Sequence, residues 1–178
     1  LSIAVIATLI GCDLFRDLLK LNKDEIPTEL PAETQTGANT FGCYINDSIL
    51  FVTHWEFAPF THGTIHAGFN RKETVLYVEA YSELGRINLN ISNNIHIGKG
   101  ESAPIFSGLF QPAENGPCFH FIEKNIGEVT LSKFDTINRI VSGTFQFIGQ
   151  CYDPLFEVPG DSTVNVSNGR FDIKLEIY

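Results

Sequence analysis

Phe171-Asp172-Ile173-Lys174-Leu175-Glu176-Ile177-Tyr178 closes the chain. Successive side chains of an extended strand point to opposite faces, so Phe171, Ile173, Leu175 and Ile177 share one side and Asp172, Lys174, Glu176 and Tyr178 the other. A helix would scatter the four apolar residues around its axis. The stretch reads as a long strand, central or at an edge, that closes a domain. Asn168-Gly169 just before it is either a two-residue hairpin turn off 163–167 or a bulge in one kinked strand. The bulge is favoured, because residues 139–149 make a better antiparallel partner, reached through a Pro-containing loop at 151–161.

The same texture extends back to Thr40. In 139–149, Val141, Phe145 and Phe147 share one parity with Gly143, which marks a bulge or a close backbone approach. Further strands are expected at 119–123 and 127–134, and over Ile87, Leu89 and Ile91, whose neighbours Asn88, Asn90 and Ser92 take the wet side. Residues 64–69 and 74–81 flank the polar connection 70–73, and 41–45 turns through 46–48 into 49–53. Glycines and prolines weaken the signal between 93 and 117, leaving 105–110 as an edge strand. The expectation is an all-β fold, an antiparallel β-sandwich or barrel-like sheet of about nine or ten strands. Fifteen Phe and no Met suggest a core of aromatic and β-branched residues.

Ahead of this domain lies a different kind of chain. Residues 1–11 are almost wholly apolar and lead into Leu9-Ile10-Gly11-Cys12, the pattern cut by a lipoprotein-processing peptidase. The run is too short to cross a bilayer but suits the apolar core of a secretory signal. Since Met and a basic start are missing, it is read as a truncated lipoprotein signal peptide. Cys12 would then carry the lipid. The other reading of 1–11 is a buried strand or helix turn. Residues 12–39 are expected to form the lipidated Cys, a short amphipathic helix over 13–21 and a Pro-containing acidic tether, with the β-domain at 40–178.

Three patches carry a resemblance. Leu30-Pro31 with Thr34-Gln35-Thr36-Gly37-Ala38-Asn39-Thr40-Phe41-Gly42-Cys43, then Ile140-Val141-Ser142-Gly143-Thr144-Phe145-Gln146-Phe147, and Asn168-Gly169-Arg170-Phe171-Asp172-Ile173 resemble an uncharacterised lipoprotein family of Bacteroidota-type bacteria. The resemblance covers roughly 28–178. That family has no assigned activity, so it implies an exported lipoprotein and no catalytic or binding residues.

A net charge of −9, with only 12 Lys and Arg, argues against nucleic acid and against binding anionic lipid by charge. Membrane attachment would come through the N-terminal lipid. With Cys12 lipidated, Cys43, Cys118 and Cys151 remain. One reading pairs Cys118 with Cys151 and buries Cys43 in the first strand; the other leaves three buried thiols. His54, His62 and His66 with a carboxylate could hold zinc, although His62 and His66, four apart in β-type chain, merely share a face. Ordinary polar histidines are the plainer reading. The nucleophile-elbow pattern Gly-x-Ser-x-Gly does not occur, nor does a Gly-rich phosphate loop.

Trp55, Phe57 and Phe60 sit among polar groups, the composition that stacks on a glycan or anchors a protein partner; core packing of Trp55 is the competing reading. Taken together, these residues imply an envelope lipoprotein of the outer membrane, periplasmic or surface-facing. Its β-domain is expected to be a non-catalytic binding or structural module without a cofactor. The rivals are a small metal-dependent hydrolase and a barrel carrying an apolar ligand.

Overall fold

A computed structural model describes residues 28–53, 64–82, 84–92, 102–104, 107–112, 119–153 and 158–178. These residues are all-β. Ten strands follow one another: β1 (Thr40–Ile45), β2 (Ser48–Thr53), β3 (Thr64–Asn70), β4 (Val75–Ser82), β5 (Gly85–Ser92), β6 (Ser102–Pro104), β7 (Ser107–Pro112), β8 (Phe119–Asp135), β9 (Ile140–Asp153) and β10 (Val158–Ile177). They hydrogen-bond in the order β2-β1-β10-β3-β4-β5-β7-β8-β6, while β9 pairs with both β10 and β8. β9 therefore ties together strands that lie far apart along that path. The result is sandwich-like, with one core between the folded-over parts of the sheet.

The closing strand is central. β10 has β1 on one side and β9 on the other, with Asp172 opposite Thr40 and Ser142. Its register slips between Val166 and Gly169, so Asn168-Gly169 is the expected bulge inside one strand. Asn168 takes φ 51°, and a Cβ on Gly169 would lie 2.5 Å from the Phe145 ring. Gly143 is the expected close approach: a Cβ there would meet the Thr130 carbonyl oxygen at 2.4 Å. The strands predicted at 119–123 and 127–134 are one strand, β8, interrupted by a register shift between Ile122 and Gly127.

Three expectations need correction. The edge strand expected at 105–110 is β7 (Ser107–Pro112), which has β5 on one side and β8 on the other and so is not an edge. The stretch 151–161 is not one long loop, because β9 runs to Asp153 and β10 starts at Val158, with Tyr152 paired to Pro159. Nor is the sheet wholly antiparallel. Leu175, Glu176 and Ile177 pair in parallel with Ala67, Gly68 and Phe69. β10 is longer than β1, so its last residues pass beyond that neighbour and take β3 as a partner instead. A parallel pair has no hairpin to announce it.

Alternation puts the apolar residues inside. Phe41, Leu50, Leu76, Val78, Ile87, Leu89, Val129, Val141, Val166 and Ile173 are fully buried. Phe145 stands among Phe41, Phe147 and Phe171, with ring centroids 5.1, 6.5 and 6.2 Å away. Offset and tilted rings of this kind add attraction beyond their buried area.

Candidate functional site

The outward side of β3, β4, β5 and β7 is unusually rich in chemistry. Leu76, Val78 and Ala80 of β4 point into the core, and so do Ile87, Leu89 and Ile91 of β5. The intervening residues therefore line up outside. Register sets Tyr77 opposite Asn90, Glu79 opposite Asn88 and Tyr81 opposite Arg86. On the next strand Ser107, Leu109 and Gln111 lie opposite Asn90, Asn88 and Arg86.

One carboxylate organises the middle of this face. Arg86 donates through Nη2 to Glu79 Oε1 at 3.0 Å, and the Asn88 amide donates to the same oxygen. The Arg86 guanidinium also lies 4.9 Å from the centre of the Tyr81 ring, a cation–π contact. Asn90 donates its amide to Ser107 Oγ at 2.8 Å. Among the described residues, two polar atoms remain over: Arg86 Nε and Asn90 Oδ1 are shut off from solvent and have no hydrogen-bond partner there. Such orphans are uncommon, since folding exchanges their water for nothing.

A second polar cluster has no such deficit. Asp172 is 1% exposed, on the side of β10 that the sequence pattern assigns to solvent. It is covered by residues 34–38, which lie across the sheet as a strap. Thr34 Oγ1 donates to Asp172 at 2.6 Å, the backbone N–H groups of Thr36, Gly37 and Ala38 donate at 3.0, 2.8 and 3.1 Å, and Ser142 Oγ donates from β9 at 2.7 Å. Thr36 Oγ1 adds a longer bond at 3.2 Å. Burial by itself would raise the Asp172 pKa. The hydrogen bonds from Thr34, Ser142, Ala38 and Gly37 outweigh it and hold the carboxyl far below the usual carboxylate range.

The strap is seated along its length. Asn39 accepts from the Lys174 N–H at 2.9 Å, Lys133 donates to the Gln35 carbonyl at 3.0 Å, and Arg170 donates to the Pro31 carbonyl at 3.1 Å. Pro31 occupies the space over Gly42, where a Cβ would come within 2.5 Å of its ring. The part of the expected tether from Leu30 to Asn39 is thus bound to the domain. Beside it a polar groove of about 280 Å³ is walled by Glu33, Glu128, Gln146 and Arg170. Arg170 lies 3.5 Å from Glu33, and the Gln146 amide donates to Glu128 at 2.6 Å.

Of the residues singled out from sequence, few fall together. His66 lies on β3 with Nε2 3.1 Å from the Tyr178 hydroxyl and 3.4 Å from Glu176. Tyr178 and His66 hydrogen-bond Glu176 and lower its pKa, while Glu176 raises that of Tyr178. His54, His62, Trp55, Phe57, Phe60, Cys12 and Cys118 lie outside the described residues. Among the described residues no group of three or more His, Cys, Asp or Glu is placed to hold a metal ion. Cys43 is a buried free thiol, pushed well above its ordinary pKa by burial, and Cys151 is disulfide-bonded.

Sequence reading missed both polar clusters as units. Asn88 and Asn90 were legible as a wet edge of β5, but their partners Glu79 and Tyr77 enter only through cross-strand register. The strap was hidden because Thr-Gln-Thr-Gly-Ala-Asn has the composition of a linker. Its anchor, Asp172, is the one polar residue of the closing strand that is buried. Three stretches far apart in sequence meet here, Thr34 to Ala38, Ser142 and Asp172. Comparison with known proteins finds no match to the chain, whether among family models, characterised proteins or solved structures.

Proposed function

We propose that the chain is an envelope lipoprotein, anchored through a lipid on Cys12, whose β-domain is a non-catalytic binding module. The observation that carries the binding reading is the outward face of β4 and β5, where polar groups are held in fixed positions and two are left without partners. Side chains held in place in this way lose little freedom when a ligand binds. The anchoring half is supported by the apolar run ending at Cys12 and by the lipoprotein resemblance of 28–178.

Each half has its own test. Fatty-acid labelling and detergent-phase partition of the full chain, beside Cys12→Ser, read the anchor; an unlabelled wild-type chain sinks it. For binding, the detergent-solubilised chain is mixed with soluble extracts of the bacterial surface and its melting temperature followed. A bound ligand stabilises the folded state, so at least one extract should raise the melting temperature of wild type and not of an Asn88→Ala/Asn90→Ala variant. No rise with any extract would end the binding reading.

A further inference from the structure

Three ligand-type side chains converge where β10 runs beside β3, away from the strap and from the Glu79 cluster. We propose that His66, Glu176 and Tyr178 form a three-ligand site for a hard transition-metal ion, ferric iron. The proposal goes beyond the binding-module reading and does not rest on it.

Register brings the three together. β10 and β3 pair in parallel with Glu176 opposite Gly68. Glu176 and Tyr178 are two apart on one strand and share a face, as do His66 and Gly68 on the other. Gly68 leaves room for the Tyr178 ring: a Cβ there would lie 2.8 Å from Tyr178 Cε2 and 3.2 Å from His66 Cε1. The ring therefore lies across Gly68, and its hydroxyl reaches His66. The backbone is fixed on both sides, because the Tyr178 N–H donates to the Phe69 carbonyl at 3.0 Å and the Arg71 N–H donates to the Tyr178 carbonyl at 3.2 Å.

The three donor atoms form a small triangle. His66 Nε2 is 3.1 Å from Tyr178 Oη and 3.4 Å from Glu176 Oε2, and Tyr178 Oη is 2.5 Å from the same Oε2. An ion bonded to all three at about 2.1 Å, the usual length for nitrogen and oxygen ligands, would sit about 1 Å out of their plane. The triangle already has the size of one face of a coordination shell. It is also open to solvent, with the His66 and Glu176 side chains 39% and 62% exposed and Tyr178 65% exposed. An ion can reach it, and water can fill the remaining positions.

Donor chemistry selects the ion. The set is one imidazole, one carboxylate and one phenol, without sulfur, which disfavours soft ions. Displacing a phenol proton takes a highly charged ion, and ferric iron supplies the charge. As the iron–oxygen bond forms, the Tyr178 hydroxyl proton passes to solvent, and phenolate and carboxylate together offset most of the ion's charge. The net charge of −9 favours a cation as well. Glu79 stands opposite His66 in register, but its Oε1 is turned to Arg86 and Asn88.

Ferric nitrilotriacetate, mixed with the full chain in detergent and followed by gel filtration, tests this. A tyrosine oxygen bonded to ferric iron produces a visible charge-transfer band that neither the chelate nor the metal-free chain has. Wild type should develop the band and retain a single iron per chain. Tyr178→Phe keeps a ring over Gly68 and should lose the band, while His66→Ala and Glu176→Gln should bind iron at least tenfold more weakly. Tyr81→Phe, which alters an exposed tyrosine elsewhere on the sheet, should behave as wild type. Each variant is first shown to melt as wild type does, and His66→Gln replaces His66→Ala if the latter does not.

Absence of the band in wild type overturns the proposal, and so does a band that survives in Tyr178→Phe. Undiminished iron binding in both His66→Ala and Glu176→Gln overturns it by placing the iron elsewhere. Binding of zinc by a chain that takes no ferric iron also overturns it. None of these results bears on the binding-module reading, whose own test uses Asn88 and Asn90.

Discussion

Asp172 and Asn90 both stand on the outward side of a strand, yet their surroundings are opposite. Asp172 is a charge taken out of water and given a donor from every direction, by a strap that closes over it. Asn90 is held by one bond to Ser107, and its carbonyl oxygen is left without a partner. A buried polar group that is fully paired locks a structure, whereas one left open lowers stability until something else pairs with it. The contrast separates a fully paired polar cluster from one that keeps a polar atom unpaired.

Removing the carboxylate should have the largest effect. Asp172→Ala strands several buried donors at once and is expected to lower stability by about 3–5 kcal/mol, lowering the melting temperature by about 10 °C. A loss under about 1 kcal/mol would break the comparison at its strong end. The same residue gives a pH signature. Its folded pKa is depressed, so its contribution is fully present above the unfolded value near 3.9 and is lost as pH falls toward the folded one. The stability gap between wild type and Asp172→Asn, measured by urea unfolding, should therefore be constant from pH 7 to about pH 5 and shrink below about pH 4. A gap that is unchanged at pH 2.5 would contradict the linkage.

Close packing around the clasp comes next. Gly143→Ala would push a methyl to 2.4 Å from the Thr130 backbone oxygen, which cannot yield without moving β8. A cost of about 1–3 kcal/mol is expected, read by thermal denaturation. Thr34→Val removes one charge-assisted bond from the strap and should cost about 1.5 kcal/mol. Hydrogen exchange would then quicken at the Gly37 and Ala38 amides, which donate to the same carboxylate.

The smallest change belongs to the other region. Asn90→Val replaces an unsatisfied acceptor by a β-branched residue on a strand and is expected to leave stability within about 0.5 kcal/mol or raise it slightly. A loss comparable to that of Thr34→Val would mean that Asn90 holds the fold, and the two regions would no longer differ in kind.

Much of the architecture was legible beforehand because period-2 alternation is a local property. Ile87, Leu89 and Ile91 announce β5, Val141, Phe145 and Phe147 announce β9, and Asn168-Gly169 was rightly weighed as a bulge. The misses share a cause. The parallel pairing of Leu175 to Ile177 with Ala67 to Phe69, and the continuation of β9 and β10 into 151–161, depend on which strand is the neighbour. The strap is the sharpest case: residues with linker composition became structure through hydrogen bonds to a residue more than 130 positions away.

The sequence alone determined that the domain is all-β, where most strands run and which face of each is apolar, because all of these are written in neighbouring residues. Only the tertiary structure decided that Asp172 is buried and Asn90 unsatisfied. Both have the same sequence signature, a polar residue on the wet side of an alternating strand. What distinguishes them is how many partners the fold brings to each, and hydrogen bonding across long sequence separations has no local trace.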